Sequence, residues 1–265
     1  MMFSFLEITQ HAGVATVWMN RPELHNAFNA QLIHELYTAF QQLDNDTAVR
    51  AVVLAARGKS FSAGADLNWM KSAATASTQD NHNDALALSN MLHTLATLRK
   101  PTIARVQGAA IGGGMGLVSA CDICVAADTA KFATSEVKLG LIPSVISPYV
   151  IRAIGPRQAH RYFLTAEMIP AATALAIGLA HEVVPAEQLD DKVATLLEAL
   201  QAGGPEAQAA SKVLIQEVSH KPIDQSLLEL CARNIAELRT GSEAQEGMAA
   251  FLARRAPQWL HSKEP

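Results

Sequence analysis

Three consecutive glycines, Gly112–Gly114, stand in the stretch "AAIGGGMGLVSACD" (109–122), and no other feature constrains the chain as much. The residues before them read as a strand, Thr102–Val106, and those after them as a helix reaching about Ala120. A further strand, Ile123–Ala126, follows. Strand, glycine turn, helix, strand is the pattern of a right-handed crossover, so the sheet is expected to be at least partly parallel. A glycine run at a helix start has two chemical uses. It cradles phosphate, or it exposes unpaired N–H groups at the positive end of a helix dipole to a ligand oxygen.

Spacing speaks against the phosphate readings. No lysine follows the run as a P-loop requires, and Leu117 takes the place where a dinucleotide fingerprint needs its third small residue. An oxyanion hole needs a second backbone donor. The stretch "FSAGADL" (61–67) offers one, because Ala63, Gly64 and Ala65 are too small to block an approaching oxygen.

Composition narrows the remaining classes. The chain has 265 residues, 49% of them apolar, which fits one large α/β unit with a helical appendage. The formal net charge is −4 and the longest basic run is "ARR" (253–255), so neither nucleic acid nor a membrane surface is an expected partner. The start, "MMFSFLEITQ", reads as neither a signal nor a transit peptide, no 18-residue apolar window occurs, and three cysteines suit a reducing cytoplasm. Cys121 and Cys124 lack a second ligand pair nearby in sequence. They read as core residues, and no metal site is expected.

Along the chain, Phe5–Thr9 and Val14–Met19 read as a hairpin. Asn29 caps a helix running to about Asp44, and Val52–Leu54 is a short buried strand. Residues 72–83, "SAATASTQDNHN", read as a mobile polar surface segment, followed by a helix over Asp84–Leu98. From about Ser147 helical periodicity dominates: Gly155–Leu164, Pro170–Ile177, Ala186–Leu200, Pro205–Val218, Ile223–Leu238 and Ser242–Arg254. Met248, Phe251 and Leu252 make the last helix more apolar than a free surface tolerates.

The motifs together are more specific than either glycine loop alone. "FSAGADL", then "GAAIGGGMGLVSACD", then "FATSEVKLGLIP" resembles the enoyl-CoA hydratase/isomerase, or crotonase, family. "MNRPELHNAFN", "LTAEMIPAATALAIGLAHEVVP" and "EGMAAFLARRAPQW" extend the resemblance over nearly the whole chain. It implies an α/β, crotonase-like spiral of β-β-α units over residues 1–200. It also implies a helical oligomerisation region over 201–265, which builds a homotrimer or homohexamer. The substrate it implies is an acyl-CoA thioester, with coenzyme A belonging to the substrate and no separate cofactor.

Residue by residue, the backbone N–H groups of Ala65 and Gly113 match the family's oxyanion hole. Leu24 matches a position at the adenine end of coenzyme A, and Ala63, Ala65, Asp66 and Leu67 belong to the loop that meets the same group. Asp66 and Asp122 also read as structural, each fixing a turn. Arg254 matches a position near the coenzyme A phosphates of a neighbouring subunit, although a solvated helix end explains it as well. Of two family carboxylates, Glu136 is present and the other is replaced by Gly116. The missing side chain at Gly116 is expected to leave room for a substrate branch or a water.

"SVISPYVIRAIG" (144–155) and "FSAGADLNWMK" resemble a bacterial subgroup of 3-methylglutaconyl-CoA and isohexenylglutaconyl-CoA hydratases, which act in leucine and acyclic-terpene breakdown. The expected reaction is therefore hydration of a branched enoyl-CoA. An isomerase using Glu136 as its single acid–base, and a non-enzymatic RNA- or protein-binding member of the family, are the alternatives.

Overall fold

The computed structural model describes residues 3–260. Strands β1 (Leu6–His11) and β2 (Val14–Met19) form an antiparallel hairpin, with Ala12 and Gly13 both at positive φ in the two-residue turn. Ala15, Val17 and Met19 of β2 are fully buried, and the residues between them are not. Helix α1 (Ala30–Asn45) starts as expected, with Asn29 Oδ1 accepting from the Leu32 N–H at 2.8 Å. All six residues of β3 (Ala51–Ala56) are buried, as in a parallel strand covered on both faces.

Helices α2 (Leu67–Thr75) and α3 (Thr78–Thr97) precede β4 (Thr102–Val106), β5 (Ala109–Ile111) and α4 (Gly113–Ala120). Then come β6 (Ile123–Ala127), β7 (Lys131–Ala133), α5 (Ser147–Thr165), β8 (Ile169–Pro170), α6 (Ala171–Ala176) and β9 (Glu182–Val184). Helices α7 (Leu189–Ala202), α8 (Pro205–Val218), α9 (Gln225–Thr240) and α10 (Ser242–Leu252) complete the chain.

The main sheet runs β1-β2-β3-β4-β6-β9, parallel throughout except for the first hairpin. The period-2 geometry of its strands divides the buried residues between two cores. Val52, Leu54, Ala104 and Ala126 face a large core with α1, α3 and α4. Val53, Ala55, Ile103 and Val125 face a smaller one closed by Leu189 and Val193 of α7.

The path is a spiral that repeats. Each turn lays one strand in the main sheet, crosses to a second layer, and returns through helix. β4, β5 and α4 make one such turn, and β6, β7 and α5 the next. The earlier turns have only single-residue pairings in the second layer: Phe28 with Ala65, and Ser62 with Ala110. The second layer continues as β5-β7-β8. This is the β-β-α organisation expected from the resemblance, and the repeat lies in geometry rather than in sequence.

Residues 72–83 depart from expectation. They are not an irregular mobile segment; α2 extends to Thr75 and α3 begins at Thr78. Ser77 caps α3, its Oγ accepting from the Asp80 N–H at 3.1 Å. Asn81 Nδ2 donates to Ala73 O, and Trp69 Nε1 donates to Asp84 Oδ2, locking the two helices together. The polar composition is a solvated helix face. Helix α5 also starts earlier than periodicity indicated. Gly155 at φ 71 and Pro156 interrupt its regular geometry and hide its first two turns.

The C-terminal helices are tied to the spiral by polar contacts. Arg50 donates to Gly203 O at 2.7 Å and to Trp259 O at 3.3 Å, and Lys212 pairs with Asp122 at 2.6 Å. Asp122 also accepts from the N–H and hydroxyl of Thr102, the structural role read from sequence. Among the described residues, no helix is long and apolar enough to cross a membrane. Replacing the α3 cap, Ser77→Ala, is expected to cost about 1 kcal/mol in urea unfolding, the usual worth of such a cap.

Candidate active site

Three successive turns of the spiral deliver the site. Ala65 follows the Ser62 pairing, Gly113 follows β5, and Glu136 follows β7, so all three occupy equivalent places in the second layer. The rungs between them are short. The Ser62 N–H donates to Ala109 O and the Ile111 N–H to Ser62 O, both at 2.9 Å; the Gly112 N–H donates to Ala133 O at 2.8 Å. On the other side, the Phe28 N–H donates to Gly64 O at 2.7 Å and the Asp66 N–H to Phe28 O at 2.8 Å.

These bonds leave out two amides. The N–H groups of Ala65 and Gly113 donate to no other described group, and Gly113 is the first residue of α4, where the helix dipole favours negative charge. Two free donors on adjacent rungs are the arrangement that holds an oxyanion.

Each glycine of the opening run meets a different neighbour. Gly112 sits at φ 53, and a Cβ there would lie 3.2 Å from Glu136 Oε1 and 3.9 Å from the Gly64 Cα. The two glycine loops and the carboxylate therefore converge on one point. A Cβ at Gly113 would lie 3.0 Å from the Phe28 ring, and one at Gly114 would lie 2.8 Å from Ser62 Cβ. The run brings α4 against the second layer.

Glu136 opens the short 3-10 turn Glu136–Leu139. Its Oε2 is buried and has no hydrogen-bond partner. Burial pushes the carboxyl above the usual glutamate value, against a smaller downward pull from the Glu136 and Ser135 amides. A carboxylate poised this way is suited to taking and returning a proton.

Asp66 has a different task. It is buried, and Oδ2 pairs with the buried Arg21 at 3.1 Å, while Oδ1 caps α2 through the Asn68 and Trp69 N–H groups. Burial raises its carboxyl, but the Asn68 amide, Arg21 and the Trp69 amide more than offset this and hold it below the ordinary aspartate value. Its side chain is thus fully occupied by structure. Leu24, Ala63, Ala65 and Leu67 are all exposed, and the Ala63 N–H donates to His25 O at 2.9 Å, joining the two loops into one open rim.

The structure corrects the expectation for Gly116. No room is left there. A Cβ would lie 2.3 Å from Ile146 Cγ2 and 3.0 Å from Ile146 Cβ, so the volume already belongs to another side chain. Arg254 follows α10, which packs on α9 and α8. Arg255 beside it is held by Glu246 at 2.6 Å. Burial pushes the Cys124 thiol up to about 12 and raises that of Cys121 further, keeping both protonated.

Sequence reading missed Asn26. It is fully buried at φ 53, accepts from the Arg21 N–H, and donates to Arg57 O and Ser60 O. An asparagine in a turn-rich loop is the signal that was present, since asparagine tolerates the left-handed region.

The enoyl-CoA hydratase/isomerase family profile matches residues 9–262. The chain belongs to this family. A crotonase structure from Legionella pneumophila is 46% identical with a TM-score of 0.90, covering 97% of this chain and 100% of that one. An enoyl-CoA hydratase from Shewanella pealeana is 41% identical with a TM-score of 0.95, covering 97% and 96%. The enoyl-CoA hydratase ACTT6 of Alternaria alternata is 35% identical over 252 residues, which is 92% of this chain and 80% of that one. The fold is accordingly the crotonase one, with its helical C-terminal region.

Within this family frame, the Arg21–Asp66 pair is the ion pair that adds to the backbone bonds between the first rim loop and the oxyanion loop. Asp66→Ala is expected to destabilise the protein by about 3–5 kcal/mol in chemical denaturation, because it leaves the Arg21 charge buried without its partner.

Proposed function

We propose that the protein is a hydratase that adds water across the C2=C3 bond of a 3-branched, glutaconyl-type enoyl-CoA thioester. The observation that carries the reading is the buried, unpartnered Oε2 of Glu136 beside two free backbone donors. Relatives named as enoyl-CoA hydratases support the reaction class. The branched substrate rests on the resemblance of "SVISPYVIRAIG" and "FSAGADLNWMK" to the glutaconyl-type subgroup.

In this reading the thioester oxygen accepts hydrogen bonds from the Ala65 and Gly113 N–H groups. Glu136 takes a proton from a water as the water oxygen bonds to C3. The C2=C3 electrons move to give an enolate, whose oxygen charge the two donors hold. Glu136 then returns the proton to C2, and the product has gained one water. The coenzyme A adenine lies along the rim of Leu24, Ala63, Ala65 and Leu67 and over the backbone at Asp66. Its phosphates meet Arg254 of a neighbouring copy in a trimer or hexamer, as the family resemblance implies. The exposed Phe251 and Leu252 fit the same assembly.

One observation favours an isomerase as the second reading: position 116 carries no acid, and a single carboxylate can move a proton between two carbons. Product mass separates the two, since hydration adds one water while isomerisation leaves the mass unchanged. No added mass with any branched enoyl-CoA thioester would overturn the hydratase reading.

Glu136→Gln is expected to lower kcat by roughly 100- to 10000-fold while coenzyme A thioester binding persists, measured by steady-state kinetics and calorimetry. The same variant should melt higher than the parent at neutral pH. A carboxyl whose folded pKa is raised makes the fold lose stability as pH climbs from the unfolded value through the folded one. The advantage of the glutamine should therefore vanish in acid, where both states of the parent are protonated. The general base must be ionised, so the acid limb of kcat/KM is expected above the usual glutamate range.

A further inference from the structure

The Ala65 donor belongs to the peptide that joins Gly64 to Ala65, and Gly64 sits at φ 92, in the region that glycine enters without steric cost. The same freedom would let the donor swing unless something holds it. Gly64 is held at both ends. Its carbonyl accepts from the Phe28 N–H at 2.7 Å, and its N–H donates to Ser62 Oγ at 3.3 Å. The Gly64 C=O and the Ala65 N–H lie in one planar trans peptide and point in opposite directions. Fixing φ and ψ of Gly64 therefore aims the Ala65 N–H.

Ser62 is built into the fold as a reference point for that clamp. It is fully buried, and its hydroxyl donates to Asn26 O at 2.9 Å while accepting from Gly64. Asn26 is itself fixed, its side chain bonded to the backbone of Arg21, Arg57 and Ser60. The backbone of Ser62 meanwhile bonds to Ala109 and Ile111, on the strand that leads to Gly113. Ser62 also packs on the first turn of α4, where a Cβ on Gly114 would lie 2.8 Å from Ser62 Cβ and 2.9 Å from Ser62 O. One residue thus touches the segments that carry both free donors. It meets the Ala65 loop through its hydroxyl and the Gly113 turn through its backbone and Cβ.

We propose that Ser62 is a positioning residue for the oxyanion site: its hydroxyl holds Gly64 so that the Ala65 N–H keeps one direction relative to the Gly113 N–H. The inference rests on the hydratase reading above, in which both amides hold the thioester oxygen. Ser62 touches no substrate. Donors preorganised for the enolate oxygen lower the barrier more than they strengthen substrate binding. Without the hydroxyl, Gly64 is tethered by its carbonyl alone. The Ala65 donor is then misaligned without being lost.

The test compares the parent with Ser62→Ala and Ser62→Cys in two readouts. The first is kcat on an enoyl-CoA thioester, set beside the calorimetric affinity for a saturated acyl-CoA, which has no C2=C3 bond to hydrate. Ser62→Ala is expected to lower kcat by about tenfold to a hundredfold, less than the loss of a whole oxyanion donor, with affinity nearly unchanged. Ser62→Cys, a weaker donor and acceptor of similar shape, should fall between. The second readout is the infrared carbonyl band of the bound saturated thioester, isotope-labelled at the carbonyl carbon. Two aligned donors move this band to lower frequency than in water, and in Ser62→Ala it should return part of the way. A serine that served stability alone would lower the melting temperature and leave kcat and the band as in the parent; that result overturns the proposal. A parent band that does not move on binding overturns the oxyanion reading and the positioning role with it. A band that moves in the parent and relaxes in Ser62→Ala, with no thioester hydrated, overturns the reaction and leaves the positioning role standing. Should Ser62→Ala fail to fold, Ser62→Cys decides by the same two readouts.

Discussion

The pairing between successive turns in the second layer is the constraint on which the site depends. Beside the β5–β7 and β7–β8 pairing, backbone hydrogen bonds outside the regular strands make it: Phe28 to Gly64, Asp66 to Phe28, Ser62 to Ala109, Ile111 to Ser62, and Gly112 to Ala133. Each fixes the register of one turn against the next. Because the amides of Ala65 and Gly113 fall between the bonded ones, the ladder that builds the layer also leaves two donors over. Catalytic preorganisation of this kind needs no side chain, only a backbone held at fixed spacing.

Burial around that ladder sets the remaining properties. Phe28 is packed on Gly113, Ser62 on Gly114 and Ile146 on Gly116, so α4 is held on several sides by contacts that tolerate no additional atoms. A tightly packed interior transmits changes of even one methyl group. The loops that meet the substrate are more open, and Leu24, Ala63, Ala65 and Leu67 form an exposed rim above this rigid base. Asp66 joins the two regions, with one carboxylate oxygen on Arg21 and the other on the start of α2. Among the described residues five buried side-chain atoms have no hydrogen-bond partner, Arg21 Nε, Arg50 Nε, Gln107 Oε1, Ser119 Oγ and Glu136 Oε2; Glu136 supplies the one carboxylate oxygen among them, and the cost in stability of leaving it unpartnered is the usual mark of a group kept for chemistry.

Much of this was legible in the chain itself. The glycine run and "FSAGADL" announced backbone exposure, because residues without bulky side chains at a strand–helix junction have few other uses. Glu136 was identifiable through the motif that contains it. Asn29 as a cap, the alternation in β2 and the continuous burial of β3 all follow from short-range physics. A cap acts over three residues and a strand alternates every two, so both are written in contiguous sequence.

What the sequence could not determine depends on contacts between distant segments. Residues 72–83 have the composition of a loop; the Ser77 cap is a local signal within it, but the Asn81–Ala73 and Trp69–Asp84 bonds that hold α3 on α2 form only once the two helices pack. Asn26 becomes a hub only when Arg57 and Ser60 arrive beside it. Gly116 suggested open space, because an absent side chain looks like a vacancy when the chain is read in one dimension. The fold places Ile146 there instead. The sequence determined which backbone could be exposed and which carboxylate was available. Tertiary structure decided which volume was filled, because packing is a property of atoms close in space and far apart along the chain.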